Sequence, residues 1–298
     1  MLLKPEVMLD NLILSLSDSL DLIHPIAVNH QQRVAYISLR IAKKMGFSPV
    51  EQSHLMYAAV LHDIGVLSVE EKIGLMTLET DLENVERHSI LGADLLRRHK
   101  LFEKASEIVR LHHRPWNDED TRGNVSEDVR LFANIINLAD FVDRYVKRGA
   151  GILNKAKSVC EEAARLEGKE FSPDIVSCLQ DLSKEESFWL DFSSPRIYSI
   201  ITRIIQWPRI EMDLDGLEQI GKVFSQIVDF RSHFTATHSA GVAAVAQELA
   251  RRMLFSEKEC RLMLIAGYLH DLGKVAVPNS ILEKPDKLDP EEFEAIRA

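Results

Sequence analysis

The sequence predicts an all-α protein made of two related helical bundles in tandem, the second incomplete. Apolar residues in nearly every patterned segment recur at steps of three and four, the spacing of one helix face, and sustained strand alternation is absent. One block of sequence also occurs twice, at an offset of 208. The first copy runs from His30 through Ser48 and Glu51 to His62-Asp63-Ile64-Gly65; the second runs from His238 through Ser256 and Glu259 to His270-Asp271-Leu272-Gly273. Between these points Val34, Ala35, Ala42, Phe47, Ala58 and Leu61 recur as Val242, Ala243, Ala250, Phe255, Ala266 and Leu269. Candidate ligands, helix starts and core positions match together, so the chain holds two modules built around one kind of His/Asp site.

In the first module Val34, Ile37, Ile41 and Met45 share one face of a helix over 30–45, and Gly46 suits the position just past its end. Ser48-Pro49-Val50-Glu51 is a capping box with proline at the first helical position, so a new helix starts there. It continues through Leu55, Ala58, Ala59 and Leu61 and delivers His62-Asp63 near its C-terminal end. Ser256 and Glu259 repeat that start at the same distance from His270. Further helices are expected at 83–98, 101–113, 128–147 and 151–166. The stretch 114–127 is polar and interrupted by Pro115 and Gly123, which makes it a loop. Ser172-Pro173 opens another helix that reaches Leu182, and one from about 214 leads into the second module. The expected organisation is a module at 1–182, a linker at 183–213 and the second module at 214–298.

Composition bounds the function. A net charge of −10 disfavours capture of DNA or RNA polymers and of anionic membranes, which calls for a basic surface, yet it is compatible with a small anionic substrate held by bound cations. No run approaches the roughly 18 apolar residues of a membrane-inserted helix, and the first residues, with Lys4 and Glu6, lack a signal-peptide pattern. Cys160, Cys178 and Cys260 are scattered thiols without metal or disulfide spacing. The expected compartment is the cytoplasm, and a homodimer is one assembly open to the chain.

Adjacent His and Asp near a helix end suit metal binding, because the imidazole takes one ion while the two carboxylate oxygens can serve two. The first module supplies the remainder of such a set: His30, His88, the pair His112-His113, and Asp140. His24, His54, His99 and His233 stand alone and read as ordinary surface or packed histidines. Phe188, Trp189, Phe192, Tyr198 and Trp207 read as core or packing between modules, and the charged run from Lys284 to Glu294 as a solvated helix start.

The segments HQQRVAYISLRIA, LHDIG, ERHSILGADLL, LHH, INLADFVD and FSPDIVSCL in the first module resemble the HD superfamily of metal-dependent phosphohydrolases, and more narrowly its HD-GYP branch. In the second, DFRSHFTATHSAGVA and the run from YLHDLGKVAVPNS to EEFEAIRA carry the same resemblance. It implies a helical bundle and hydrolysis of a cyclic dinucleotide, cyclic di-GMP or cyclic GMP-AMP. It also implies that His30, His62, Asp63 and Asp140 hold one ion, with Asp63 bridging to a second held by His88, His112 and His113. Asp63 would then be catalytic, since such ions acidify water and neutralise phosphodiester charge. Two transition-metal ions are expected, iron or manganese fitting a His-rich set with carboxylates better than magnesium. Arg33, three residues after the first His, is the candidate contact to substrate phosphate.

The first module departs from the family pattern at Val66, where the family has Lys after His-Asp-x-Gly, in lacking the Gly-Tyr-Pro loop after the paired His, and at Ile26, where three-metal members carry Glu. The second module keeps Asp229, Arg231, Thr235, the ligands His238, His270 and Asp271, and the candidate catalytic Lys274, but the sequence stops at Ala298, where the pattern places the next His. The sequence is therefore expected to be part of a longer protein whose second module is the better candidate for catalysis. Two further readings stand beside hydrolysis of a cyclic dinucleotide. One is a non-catalytic, metal-stabilised regulatory or nucleotide-sensing module; the other is an HD hydrolase acting on another nucleotide.

Overall fold

A computed structural model describes residues 8–21, 27–66, 69–77, 82–147, 151–205, 212–231, 238–277, 279–282 and 284–297. Its helices are α1 (Leu9–Asp21), α2 (His30–Lys44), α3 (Pro49–Leu61), α4 (Val69–Thr77), α5 (Leu82–Leu96), α6 (Glu103–Leu111), α7 (Glu127–Lys147) and α8 (Ile152–Arg165). They continue with α9 (Pro173–Leu182), α10 (Glu186–Phe192), α11 (Ile197–Ile204), α12 (Leu214–Arg231), α13 (His238–Arg252), α14 (Glu257–Leu269), α15 (Asn279–Leu282) and α16 (Pro290–Arg297). No strand occurs among the described residues, so the all-α expectation holds. The chain divides into two compact units, one of Asn29–Gly65 with Gly74–Pro208, the other of Met1–Val28, Val66–Ile73 and Arg209–Ala298.

That division differs from the boundaries expected at 182 and 213. Residues 186–204 are not a linker: α10 and α11 pack on α2, where Phe188, Trp189, Phe192, Ile197 and Ile201 are buried. The Tyr36 hydroxyl donates to the Phe188 carbonyl at 3.2 Å, and Trp189 Nε1 donates to the Ser183 carbonyl at 3.1 Å. Phe188, Trp189 and Phe192 are thus core of the first unit, Tyr198 is partly exposed, and Trp207 lies outside the described residues. Nor do the first 28 residues join the first unit. In α1, Leu9, Ile13, Leu14 and Leu16 are buried, and the helix packs beside the 3-10 segment Leu272–Ala276 of the second unit. Neither α1 nor α4 was expected.

In the first unit α2 is the central helix, touching α3, α7, α9 and α11. The sequence pattern gives it one apolar face; the structure also buries Gln31, Gln32, Tyr36, Ser38 and Leu39, because neighbours surround it. It ends on Gly46 at φ +77°, the left-handed position past a helix end, and Phe47 N then donates to the Ala42 carbonyl at 3.0 Å. The expected capping box is present at Ser48, whose N donates to Glu51 Oε2 at 2.7 Å while its Oγ accepts from Glu51 N. Each such cap contributes about 1 kcal/mol and fixes where α3 begins, hence where it ends. Loop 114–127 is a run of turns anchored elsewhere: Trp116 N donates to the Glu170 carbonyl at 3.0 Å and Asn117 N to the Lys169 carbonyl at 2.9 Å.

In the second unit α12, α13 and α14 pack together. Its Ser256 cap repeats the Ser48 geometry, with ψ of 156° against 159°. Ser239 Oγ donates to Asp229 Oδ1 at 2.7 Å, tying α13 to α12. Thr235, His24, Ile26 and His233, and the side chain of Arg231, lie outside the described residues. No described helix is long and apolar enough to cross a membrane.

Candidate metal centre

The helices α2, α3, α6 and α7 and the middle of α5 bring seven side chains to one point. His30 opens α2, His62 is the C-terminal cap of α3 with Asp63 directly after it, His112 caps α6 with His113 next, and Asp140 sits within α7. Their ligand atoms form two clusters, His30, His62 and Asp140 in one, and Asp63, His88, His112 and His113 in the other. All are buried except His113, which is partly exposed.

The two oxygens of Asp63 face different clusters. Oδ2 lies 3.4 Å from His30 Nε2 and 3.3 Å from His62 Nε2, whereas Oδ1 lies 3.4 Å from His88 Nε2. Within the clusters, His30 and His62 approach Nε2 to Nε2 at 3.3 Å, His88 and His112 at 3.3 Å, and His88 and His113 at 3.2 Å. Nitrogens bound to one transition metal at about 2.0–2.1 Å fall roughly 2.8–3.4 Å apart, from adjacent octahedral to tetrahedral positions. The spacing is therefore that of ligands around an ion, and the donor set fits two ions sharing Asp63.

The outer contacts fix which imidazole nitrogen faces inward. His62 Nδ1 donates to the Ala59 carbonyl at 2.8 Å and His112 Nδ1 to the Val109 carbonyl at 2.6 Å, leaving each Nε2 with its lone pair toward the centre. His30 uses Nδ1 on Asp143 Oδ2 at 2.7 Å, and Asp143 is wholly buried. Arg33 binds the other oxygen of Asp143 through Nε. Arg144 Nη2 in turn pairs with Asp140 Oδ2 at 2.8 Å. Burial, reinforced by neighbouring imidazoles, pushes His112 and His113 well below the usual histidine value, so both are neutral and competent as ligands at pH 7.

Gly65 explains the last letter of the His-Asp-Ile-Gly motif. A Cβ on it would lie 2.1 Å from the His88 carbonyl oxygen and 2.4 Å from Gly92 N. Only glycine lets the chain after α3 approach α5 closely enough to set His88 beside Asp63. Val66 follows and is buried, so no cation occupies that position.

The sequence-predicted residues thus separate into three groups. His30, His62, Asp63, His88, His112, His113 and Asp140 come together. Arg33 is turned onto Asp143, which ties it to His30 rather than leaving it only a phosphate contact. His238, His270 and Asp271 form a second, more open cluster in the other unit, with Lys274 Nζ donating to Asp271 Oδ2 at 2.7 Å. Asp143 and Arg144 follow Asp140 on α7 by three and four residues, and that spacing is the sequence signal that places them on the same helix face. His54 and His99 are ordinary, His54 half-buried on α3 and His99 accepting from Leu101 N at 3.1 Å.

Comparison with known proteins agrees with this geometry. A profile described as HD domain matches residues 27–145, and a second HD-domain profile matches residues 222–298. The chain is 30% identical over 280 residues to the 3′3′-cGAMP-specific phosphodiesterase 1 of Vibrio cholerae, covering 91% of this chain and 64% of that protein. It is 32% identical over 167 residues to a cyclic di-GMP phosphodiesterase of Thermotoga maritima, covering 52% of this chain and 44% of the relative. It therefore spans less than two thirds of either relative's length. The crystal structure of the cyclic GMP-AMP specific phosphodiesterase V-cGAP3 of V. cholerae superposes with a TM-score of 0.72 at 25% identity, covering 97% of this chain and 76% of that one. With two such domains, each built around the paired His-Asp that the repeat first exposed, the chain belongs to the HD superfamily.

Proposed function

We propose that the protein is a phosphodiesterase of the HD-GYP branch that hydrolyses a cyclic dinucleotide, cyclic GMP-AMP or cyclic di-GMP, in cytoplasmic signalling. The observation that carries this reading is Asp63, whose two oxygens each face one of two clusters of ligand atoms. Both curated relatives are named for cyclic dinucleotide cleavage, which supports the same substrate class. Two cations in these clusters, iron or manganese by the donor set, would supply Lewis acidity and an activated water. The chain's own residues do the rest. Asp143 and the backbone carbonyls of Ala59 and Val109 hold the imidazoles in register, and Arg144 and Arg33 balance the carboxylates of α7. Six of the seven candidate ligands are buried, and His113 is partly exposed.

The test is elemental analysis and turnover on protein purified without oxygen or chelator. About two iron or manganese ions per chain are expected, with cyclic dinucleotide turnover that falls about a thousandfold or more in Asp63→Ala. Full metal loading without turnover of any phosphodiester would sink the reading. A second reading, a metal-stabilised sensor without catalysis, is favoured by the buried apolar Val66 where the second module has Lys274. That same result, paired with nucleotide binding, would establish it.

A further inference from the structure

Beside His113 the surface opens into a cavity of about 300 Å³ that no residue of the metal centre other than His113 lines. Glu86 and Ser89 from α5, Arg110 from the last turn of α6, Arg114 from the turn that follows it, and Glu170 form its walls. Its volume is at the lower end of the range for small-molecule sites, about 300–1,000 Å³. Arg110 at the end of α6 and His113 and Arg114 in the turn after it all line the cavity, so its wall carries a candidate ligand imidazole and two guanidinium groups.

The cavity is built, not incidental to a loose loop. Arg114 N donates to the Leu111 carbonyl at 2.8 Å, and the following residues are fastened by Trp116 N to the Glu170 carbonyl at 3.0 Å. Asn134 Nδ2 also donates to the Glu170 carbonyl, at 2.7 Å, which anchors the opposite wall to α7. Arg130 stacks over Trp116 at 3.7 Å and donates to its carbonyl at 2.6 Å, holding the loop from behind.

Arg114 is paired with Glu86 across this cavity and lies 3.5 Å from Asp118. The pair is about half exposed, 42% for Arg114 and 51% for Glu86, and such ion pairs contribute little, about 0–1 kcal/mol. A phosphodiester offers the same planar fork two oxygens and a full negative charge, so it can displace Glu86 at small cost. A cyclic dinucleotide carries two phosphodiesters. When one is at the metal centre, the other must lie a nucleotide away, and His113 is where the centre meets the cavity.

We propose that Arg114 is the residue that binds the second, non-reacting phosphodiester of a cyclic dinucleotide in this cavity, with Glu86 holding it in place until the nucleotide arrives. The inference rests on the phosphodiesterase reading for its substrate class, but its test does not require turnover. It gives the first module a cationic contact for substrate that does not depend on the position of Val66.

The probes are a hydrolysis-resistant phosphorothioate analogue of cyclic GMP-AMP for binding, and cyclic GMP-AMP and bis(p-nitrophenyl) phosphate for kinetics, all on the full chain with its metals. Arg114→Glu is expected to weaken binding of the analogue by about tenfold or more and to raise KM for cyclic GMP-AMP similarly. Its metal content should match the wild type, and its loss on bis(p-nitrophenyl) phosphate, which has no second phosphate, should be much smaller than its loss on cyclic GMP-AMP. Glu86→Gln removes one of the two carboxylates beside the guanidinium and should tighten binding, a sign that damage to the fold would not give. Unchanged binding in Arg114→Glu, equal losses on both kinetic substrates, or no binding of the analogue to the wild-type chain would overturn the assignment. Binding that responds to Arg114 without any turnover would keep the subsite and defeat the phosphodiesterase reading instead.

Discussion

The two modules place the same three candidate ligands with nearly the same geometry but bury them to different extents. His30 Nε2 lies 3.4 Å from Asp63 Oδ2, and His238 Nε2 lies 3.5 Å from Asp271 Oδ2. His62 and His270 each lie 3.3 Å from the adjacent carboxylate. Their Nδ1 atoms donate to the carbonyl three residues earlier at 2.8 and 2.7 Å. Burial separates them: the side chains of His30 and His62 are 1% and 0% exposed, those of His238 and His270 44% and 33%. A pair of antiparallel helices with one capping box is enough to set the His/Asp triplet. Enclosing it takes α5, α6 and α7, which also bring the other four ligands. The same contrast runs through the apolar face: Ile37, Ile41 and Leu55 are fully buried, while Val245, Leu249 and Met263, their counterparts, are 59%, 55% and 40% exposed.

The sharpest way to break the comparison is at the glycine of the motif. Gly65 abuts backbone atoms of α5, whereas a Cβ on Gly273 would meet nothing within 4 Å. Gly65→Ala should cost about 3 kcal/mol, since neither backbone partner can yield easily, and should release the ions together with His88. Gly273→Ala should be close to neutral for stability. Chemical denaturation of both variants, with metal content measured alongside, checks this. Equal, small effects at the two sites would mean that the close approach of the Gly65 turn to α5 is not what forms the enclosed centre.

Asp143 gives the next largest effect and bears on why one centre is enclosed and oriented. It holds His30 by Nδ1 from within α7, and Arg33 holds it. Supporting carboxylates of this kind typically change metal affinity by about 10–100-fold. Asp143→Ala is expected to weaken metal binding by that factor, and Asp143→Asn, which keeps an acceptor for the imidazole, should recover part of it. Chelator competition followed by elemental analysis reads both. An Asp143→Ala chain that binds metal like the wild type would show that Asp143 serves folding alone.

Much of the candidate centre was legible from the sequence because its seven candidate ligands are residue types with few other reasons to recur at these spacings, and because the repeat marked His30, His62 and Asp63 twice. The two capping boxes were legible for the same reason that they work: Ser and Glu three residues apart satisfy each other locally. What was not legible depends on contacts distant in sequence. The bond from His30 to Asp143 spans 113 residues, and nothing near either residue announces it. The helices α10 and α11 were hidden by Pro195 and Pro208, which punctuate a stretch whose aromatics fit several roles until α2 is seen beneath them. The affiliation of α1 with the second unit likewise leaves no local trace, since an amphipathic helix does not state its partner.

The smallest predicted effect tests how alike the modules are in their backbones. Leu254 has φ +63° and occupies the position that Gly46 occupies at φ +77° in the first module. The left-handed conformation costs an ordinary L-residue about 1–2 kcal/mol. Glycine removes that cost but gives back about 0.5–1 kcal/mol through the greater freedom of the unfolded chain. Because Leu254 is 92% exposed, its side chain contributes almost no burial to set against the strain. Leu254→Gly should therefore stabilise the second unit by about 0.5–1 kcal/mol, and Gly46→Leu should destabilise the first by a similar amount. Hydrogen exchange resolved to α13 and α2 can read each unit separately. A destabilised Leu254→Gly would mean that the leucine makes contacts worth more than the strain, and that the α13 end is covered in solution.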